Sequence, residues 1–221
     1  MKILLTGKNG QVGFELQRAL APLGEVHAVG SAECDLADGA ALRALIRSVK
    51  PDLIVNPAAY TAVDRAESEP EMAHAINAVA PGIMGEEARA LGATVIHFST
   101  DYVFDGDKDG PYVETDTTGP RSVYGSTKLA GEHALAQATP QHLILRTSWV
   151  VGAYGSNFAK TMLKLAGERE TIHVVADQIG APTSASLLAD VAAHLALQAQ
   201  REGPVTFPFG TYHLAASGET S

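Results

Sequence analysis

The chain has 221 residues, of which 46% are hydrophobic and 19% charged, the balance of a globular protein with one full α/β domain and part of a second. Its net charge of −9 argues against duplex nucleic acid or an anionic membrane surface as a partner. The single cysteine, Cys34, excludes an intramolecular disulfide, and no apolar run is long enough for a signal peptide or a membrane span, so we expect a cytoplasmic protein.

Short apolar segments of strand length alternate with longer amphipathic segments along the first two thirds of the chain. The predicted strands are 3–6, 26–29, 53–56, 94–99 and 143–147, and the first two predicted helices are 11–20 and 40–49. This alternation is typical of a parallel sheet with helices on both faces. We therefore predict an α/β fold with a Rossmann-type, doubly wound parallel sheet.

The pattern becomes less regular beyond about residue 149. The elements predicted there are helices over 157–168 and 186–200 and strands over 172–175 and 212–215. We expect a dinucleotide-binding domain over residues 1–148. Residues 149–221 are then mainly a smaller substrate-binding part, interleaved with the first domain and apparently truncated at its C-terminus.

Three glycines, Gly7, Gly10 and Gly13, follow the first predicted strand and open the first helix. Glycines at this spacing permit a tight turn, let the backbone approach a pyrophosphate and allow close packing of helix on strand. A glycine triplet alone is weak support, but its position between a strand and a helix at the N-terminus predicts a dinucleotide site.

The residues after the second predicted strand bear on the choice between NAD and NADP. The end of that strand reads Val29-Gly30-Ser31, without the carboxylate that usually binds the ribose 2′-hydroxyl of NAD. Gly30 leaves room for a 2′-phosphate and Lys8 can pair with it, which favours NADP or the use of both cofactors. Alternatively, Glu33 or Asp35, which come slightly later, reaches the ribose and NAD is preferred.

A tyrosine and a lysine stand four residues apart in a helix-compatible segment, at Tyr124 and Lys128, and therefore one turn apart on the same face. A free tyrosine has a pKa near ~10, and a neighbouring ammonium favours its phenolate, which suits proton exchange near neutral pH. Thr100 and Asp101 follow the predicted strand 94–99, at the edge where parallel sheets bind ligands. The alternatives are a solvated Tyr–Lys pair and an aspartate that caps a turn.

Three further residues have structural interpretations. His97 lies in the middle of a predicted strand and is expected to be a packed core histidine. Arg146 is expected to form a structural ion pair. Trp149 is either part of the core or a ligand contact.

Several stretches together, among them FSTDYVFDG, YGSTKLAGE, LRTSWV and DQIGAPTSASLLAD, resemble the extended short-chain dehydrogenase/reductase family along the whole chain. The branch they resemble reduces the 4-keto group of a dTDP-linked sugar with NADPH or NADH. The resemblance implies that Thr100, Tyr124 and Lys128 are catalytic, with Tyr124 donating the proton. It further implies roles for residues at the pyrophosphate (Gly10, Gln11, Val12), at the adenine (Asp35, Leu36), along the cofactor channel (Ala59, Tyr60, Thr61) and at the sugar (Thr100, Asp101, Trp149).

The same resemblance leaves some properties open. Some relatives bind magnesium between subunits through glutamates; Glu15 is present here, but Ser186 stands where those relatives have a carboxylate, so no metal site is predicted. A homodimer is possible, and family members are longer than this chain. Two alternative functions keep the fold: a sugar-nucleotide epimerase or dehydratase, and a non-catalytic regulatory subunit that binds the cofactor.

Overall fold

The computed structural model describes residues 1–221. Its strands are β1 (Lys2–Leu5), β2 (Glu25–Ala28), β3 (Leu53–Asn56), β4 (Thr94–Thr100), β5 (His142–Thr147), β6 (Val150–Val151), β7 (Thr183–Ser184) and β8 (Gly210–His213). Its helices are α1 (Gln11–Leu20), α2 (Gly39–Val49), α3 (Val63–Ser68), α4 (Pro70–His74), α5 (Ala80–Leu91), α6 (Val123–Ala138), α7 (Phe158–Ala166) and α8 (Ala185–Glu202). A π-helical turn (Ala75–Val79) joins α4 to α5, and a 3₁₀ turn (Asp101–Val103) follows β4.

Six strands form one parallel sheet in the order β2-β1-β3-β4-β5-β8, and β6 pairs with β7 in a second, two-stranded sheet. The direction in which successive strands are added reverses between β1 and β3. In open parallel sheets a crevice at the carboxyl ends of the strands opens at such a point, and ligands bind there. The predicted doubly wound parallel sheet is confirmed.

The sheet is buried on both faces. Alternate residues of β1 enter different hydrophobic clusters, because side chains of a strand point to opposite faces in turn: Ile3 and Leu5 join the cluster under α1 and α8, and Leu4 joins the cluster under α2 and α5. All three side chains are fully buried, and each contributes roughly 1.5–3 kcal/mol to folding. None of the helices is both long and apolar enough to cross a membrane.

Most of the predicted elements are found with bounds shifted by one or two residues, but the strand predicted over 172–175 is wrong. Val174 and Val175 pair with no strand, and their side chains are 50% and 66% exposed. β-branched residues form a strand only where a neighbouring strand can take up their backbone hydrogen bonds. The helix predicted over 157–168 is the shorter α7, and the strand predicted over 212–215 is β8, which begins at Gly210 and pairs with β5.

The first turn of α6 packs closely against the 3₁₀ turn that follows β4. A Cβ atom on Gly125 would lie 2.2 Å from the carbonyl oxygen of Tyr102, so only glycine permits this contact. The Ser122 hydroxyl accepts the Gly125 N–H at 3.0 Å and caps the helix. Together these contacts fix Tyr124 beside the carboxyl end of β4.

Candidate active site

A cleft of about 500 Å³ lies along the carboxyl ends of β1, β3 and β4, a volume within the range of small-molecule sites. Residues from distant parts of the sequence line it, since α1, α6 and the strand ends converge there. Eleven of the predicted site residues are among them: Gly7, Gly10, Gln11, Val12, Gly13, Asp35, Leu36, Ala59, Thr61, Tyr124 and Lys128.

The glycine loop forms one wall of the cleft. Gly7 has a φ of +62°, and a Cβ atom on Gly13 would lie 2.0 Å from the carbonyl oxygen of Gly7, so the loop and the first turn of α1 require glycine at both positions. Gly10 caps α1 without any side-chain hydrogen bond. The first N–H groups of α1 therefore remain available to an anionic ligand, which the positive end of the helix also favours.

Four predicted site residues do not line this cleft: Tyr60, Thr100, Asp101 and Trp149. The Tyr60 hydroxyl donates to Glu69 at 2.5 Å, which raises the tyrosine's pKa. The Thr100 hydroxyl donates to Asp101 at 3.0 Å and accepts the Tyr102 N–H at 3.2 Å. These bonds engage the Tyr60, Thr100 and Asp101 side chains, none of which lines the cleft.

Trp149 has a strained backbone. Its φ of +44° is a left-handed value that non-glycine residues rarely adopt, and its indole lies against Gly180, where a Cβ atom would come within 2.5 Å of the ring. Backbone strain of this kind costs about 1–3 kcal/mol and concentrates at ligand sites.

The Tyr124 phenol is partly buried, and burial raises its pKa to about 12, although the Thr100 hydroxyl favours the ionised form and partly offsets this. The ring of Tyr102 meets it edge to face, with centroids 5.5 Å apart. Tyr124 is therefore protonated at neutral pH.

The Lys128 amine is fully buried. It donates to the carbonyl oxygen of Phe98 at 2.7 Å, and its Nζ lies 3.1 Å from Nε2 of His97. Burial lowers the pKa of Lys128 to about 8, against the opposing effect of the Glu132 carboxylate. The spacing of Tyr124 and Lys128 predicted an amine that acts on the phenol. In this structure the amine is hydrogen-bonded to two residues of β4, His97 and Phe98.

Some lining residues were missed by the sequence analysis. The hydroxyls of Ser99 and Thr147, at the ends of β4 and β5, line the cleft and are buried without any hydrogen-bond partner. Their positions at strand ends could have identified both. Gly155 and Ser156 also line the cleft, because Asn157 donates to the Gln11 side chain at 2.9 Å and draws their loop toward α1. No sequence signal pointed to that loop.

Lys8 is paired in the structure. Its Nζ lies 2.6 Å from one oxygen of Glu33, and the other oxygen of Glu33 accepts the Gly30 N–H at 2.8 Å. The lysine and the Gly30 N–H both lower the pKa of Glu33. Glu33, three positions after Gly30, thus places a carboxylate beside the residues that follow β2.

The structural ion pair predicted for Arg146 is confirmed. Its Nε and Nη2 bind the Glu132 carboxylate at 2.6–3.2 Å, with both side chains buried. Its guanidinium lies over the Phe104 ring, 5.1 Å from the centroid. The pair joins α6 to β5 one helical turn beyond Lys128. Across the structure, no group of three or more His, Cys, Asp or Glu side chains is arranged to hold a metal ion.

The glycine loop lies where the strand order of the parallel sheet reverses, and the helix that carries Tyr124 and Lys128 closes the same cleft. These features define a dinucleotide-binding protein of the extended short-chain dehydrogenase/reductase class. The family model described as the RmlD substrate binding domain matches residues 1–221. The dTDP-4-dehydrorhamnose reductase of Escherichia coli (strain K12) is 54% identical over 226 residues, covering 100% of this chain and 74% of that protein. That of Burkholderia thailandensis is 49% identical, with the same coverage. The chain belongs to the RmlD family, which these reductases represent.

Solved structures agree with this family. A dTDP-4-dehydrorhamnose reductase from Clostridium acetobutylicum superimposes with a TM-score of 0.91 at 39% identity, covering 100% of this chain and 76% of that one. One from Bacillus anthracis, in complex with NADP, has a TM-score of 0.90 at 37% identity and the same coverage. A UDP-glucose 4-epimerase from Brucella ovis, at 21% identity and a TM-score of 0.83, shares the fold.

Proposed function

We propose that this chain reduces the 4-keto group of dTDP-4-dehydro-L-rhamnose to give dTDP-L-rhamnose, with NADPH or NADH as reductant. The observation that carries the proposal is the position of Tyr124 and Lys128 in the cleft that the glycine loop also lines. The identities of 49% and 54% to dTDP-4-dehydrorhamnose reductases support the substrate.

The cleft fits a nicotinamide dinucleotide. The glycine loop packs closely on α1 at Gly13, and the N-terminus of α1, which has no side-chain cap and lines the cleft, can bind a pyrophosphate. The unpartnered hydroxyls of Ser99 and Thr147 offer further polar contacts. When bound, the reduced nicotinamide supplies a hydride to the sugar carbonyl.

The chain's own residues supply the proton and hold the ligands. Tyr124 keeps its proton at Oη at neutral pH and donates it to the sugar oxygen. Lys128 holds the ribose and compensates the charge that develops on the phenol. Thr100 binds the reacting oxygen once its hydroxyl is released from Asp101.

The remaining assignments follow the resemblance to the family, and Gln11, Val12, Asp35, Leu36, Ala59 and Thr61 also line the cleft. We assign Gln11 and Val12 to the pyrophosphate, Asp35 and Leu36 to the adenine, Ala59, Tyr60 and Thr61 to the cofactor channel, and Asp101 and Trp149 to the sugar. Residues 1–148 form the cofactor domain, and residues 149–221 contribute mainly to the substrate side. The two parts interleave, since α8 packs on α1 and β8 extends the large sheet.

Turnover with dTDP-4-dehydro-L-rhamnose and NADPH tests the proposal. Absorbance of the reduced cofactor should fall in proportion to the dTDP-L-rhamnose formed. An epimerase or dehydratase regenerates its cofactor in each cycle, so product without net consumption of NADPH would favour that activity. Cofactor binding without any turnover would indicate a regulatory subunit.

Glu33→Gln is expected to raise the ratio of kcat/KM with NADPH to kcat/KM with NADH about tenfold. The carboxylate beside Gly30 repels a 2′-phosphate and forms an ion pair with Lys8, whereas the amide has no charge and holds Lys8 only by a weaker, neutral hydrogen bond. A tenfold change corresponds to ~1.4 kcal/mol, within the range of one charge contact. Initial rates with each cofactor measure the ratio.

Glu25→Gln is the matched control, because Glu25 is an exposed glutamate at the opposite end of β2. Its ratio should equal that of the unmodified protein. An unchanged ratio in Glu33→Gln would exclude Glu33 from cofactor discrimination.

A further inference from the structure

A chain of hydrogen bonds runs from Lys128 into the interior of the sheet. Nζ of Lys128 lies 3.1 Å from Nε2 of His97, and Nδ1 of His97 lies 3.0 Å from Nδ2 of Asn56. The Thr6 hydroxyl lies 2.6 Å from Oδ1 of Asn56. All four side chains are no more than 1% exposed, so no water competes for these bonds. His97 of β4, Asn56 of β3 and Thr6, directly after β1, thus support the α6 residue Lys128 at the cleft.

Every member beyond Lys128 can reverse its hydrogen-bonding direction. A neutral imidazole carries one proton on either nitrogen, an amide can turn over, and a hydroxyl both donates and accepts. In the structure Asn56 presents its NH₂ group to Nδ1 of His97, which leaves the imidazole proton on Nε2, facing Lys128. That arrangement suits a neutral amine, which can accept a hydrogen bond. The reversed arrangement, with the proton on Nδ1, suits an ammonium, which can only donate.

We propose that His97, backed by Asn56 and Thr6, is a positioning residue that holds the Lys128 amine in place in both of its charge states by exchanging one imidazole tautomer for the other. Only the part that this arrangement plays in the reaction rests on the function proposed above; the tautomer exchange itself does not. His97 carries one proton in each arrangement, so the net change is the single proton that Lys128 loses or gains.

The charged and titratable groups around Lys128 are consistent with this role. On its own helix are Tyr124 and Glu132, and the Glu132 carboxylate is already bound to Arg146 of β5. His97 is the titratable group that β4 places in contact with the amine. Burial and the nearby Lys128 lower the pKa of His97 well below its usual value, so the imidazole stays neutral and cannot repel the ammonium.

This arrangement suits a lysine that occurs in both charge states near neutral pH. With a pKa of about 8, Lys128 populates both forms near neutral pH. The neutral amine keeps two N–H donors, so the Phe98 carbonyl can accept from Lys128 in both charge states. Loss of the proton also exposes a lone pair on Nζ, and the imidazole of His97 is the neighbour that can donate to it.

The test uses the full chain without cofactor, labelled with ¹⁵N in histidine. Imidazole nitrogen shifts are followed from about pH 5.5 to about pH 9.5, a range that spans ordinary histidine and the depressed lysine. We expect His97 to remain neutral throughout and its protonated nitrogen to change from Nδ1 to Nε2, with a midpoint near the Lys128 pKa of about 8. His97→Gln identifies the signal among the eight histidines.

Lys128→Met is the control, because it removes the amine and keeps a side chain of similar length. Its His97 should show one tautomer at every pH. A doubly protonated His97 in the folded protein, or a tautomer that does not change with pH in the unmodified chain, would overturn the proposal. This measurement needs no substrate, so a failed reductase assay does not affect it.

Cofactor binding supplies a second readout. His97→Leu, which cannot bond to the amine, should weaken NADPH binding at least tenfold, and His97→Gln, whose amide can donate or accept, should recover much of the loss. His142→Leu is the matched control, since His142 bonds to Thr139 at the opposite end of the sheet. Equal affinity in the His97→Leu and unmodified proteins would contradict the proposal.

Discussion

Tyr124→Phe is expected to lower kcat by about 10²–10⁴-fold and to leave the affinity for NADPH within about twofold, because a general acid contributes a factor of that size and the phenyl ring keeps the packing. The pKa of about 12 makes Tyr124 a full proton donor at neutral pH. Phenylalanine removes that proton while α6 and the cleft stay intact. Steady-state rates and NADPH fluorescence titrations separate the two effects.

Tyr102→Phe provides the matched control. The Tyr102 ring meets that of Tyr124 edge to face at 5.5 Å, but Tyr102 is 41% exposed and its hydroxyl does not line the cleft. The kcat of Tyr102→Phe should therefore stay near that of the unmodified protein. Near-normal turnover in Tyr124→Phe would remove the phenol from the mechanism. Residues that act as a unit are not additive, so adding Lys128→Ala to Tyr124→Phe should cost little more in kcat, although cofactor affinity should fall.

The sequence was sufficient for features whose cause is local. The glycine loop could be predicted because Gly7 follows an apolar strand and Gly13 lies in the first turn of an amphipathic helix. The helix that carries Tyr124 and Lys128 was likewise visible from its spacing. Both lie where the general rule for parallel sheets places ligands.

Contacts between distant segments could not be predicted in this way. His97 was interpreted as a packed core histidine, and it is buried, but its bond to Lys128 depends on how α6 crosses β4. The pairing of Lys8 with Glu33 likewise depends on the turn after β2. Residues 172–175 have the composition of a strand, but strand formation needs a partner, which a single segment does not reveal.

Glu132→Gln is expected to lower the free energy of unfolding by about 3–5 kcal/mol, since removing one partner of a buried ion pair leaves the other charge uncompensated. Arg146 is 8% exposed and Glu132 is 3% exposed, so solvent cannot replace the carboxylate. One guanidinium nitrogen, Nη1, already lacks a partner. Urea denaturation should show a lower midpoint with an unchanged slope.

Asp190→Asn is the matched control for this loss. The substitution removes the ion pair between Asp190 and Arg18, whose side chains are 51% and 59% exposed. Exposed pairs of this kind contribute about 0–1 kcal/mol to the free energy of unfolding. A similar loss in both variants would show that burial does not determine the cost. Replacing both partners, as in Glu132→Leu with Arg146→Met, should recover most of the stability, because no charge then remains buried. That double variant distinguishes an uncompensated charge from a loss of packing: if the guanidinium causes the instability, removing it restores the fold even though the ion pair is gone.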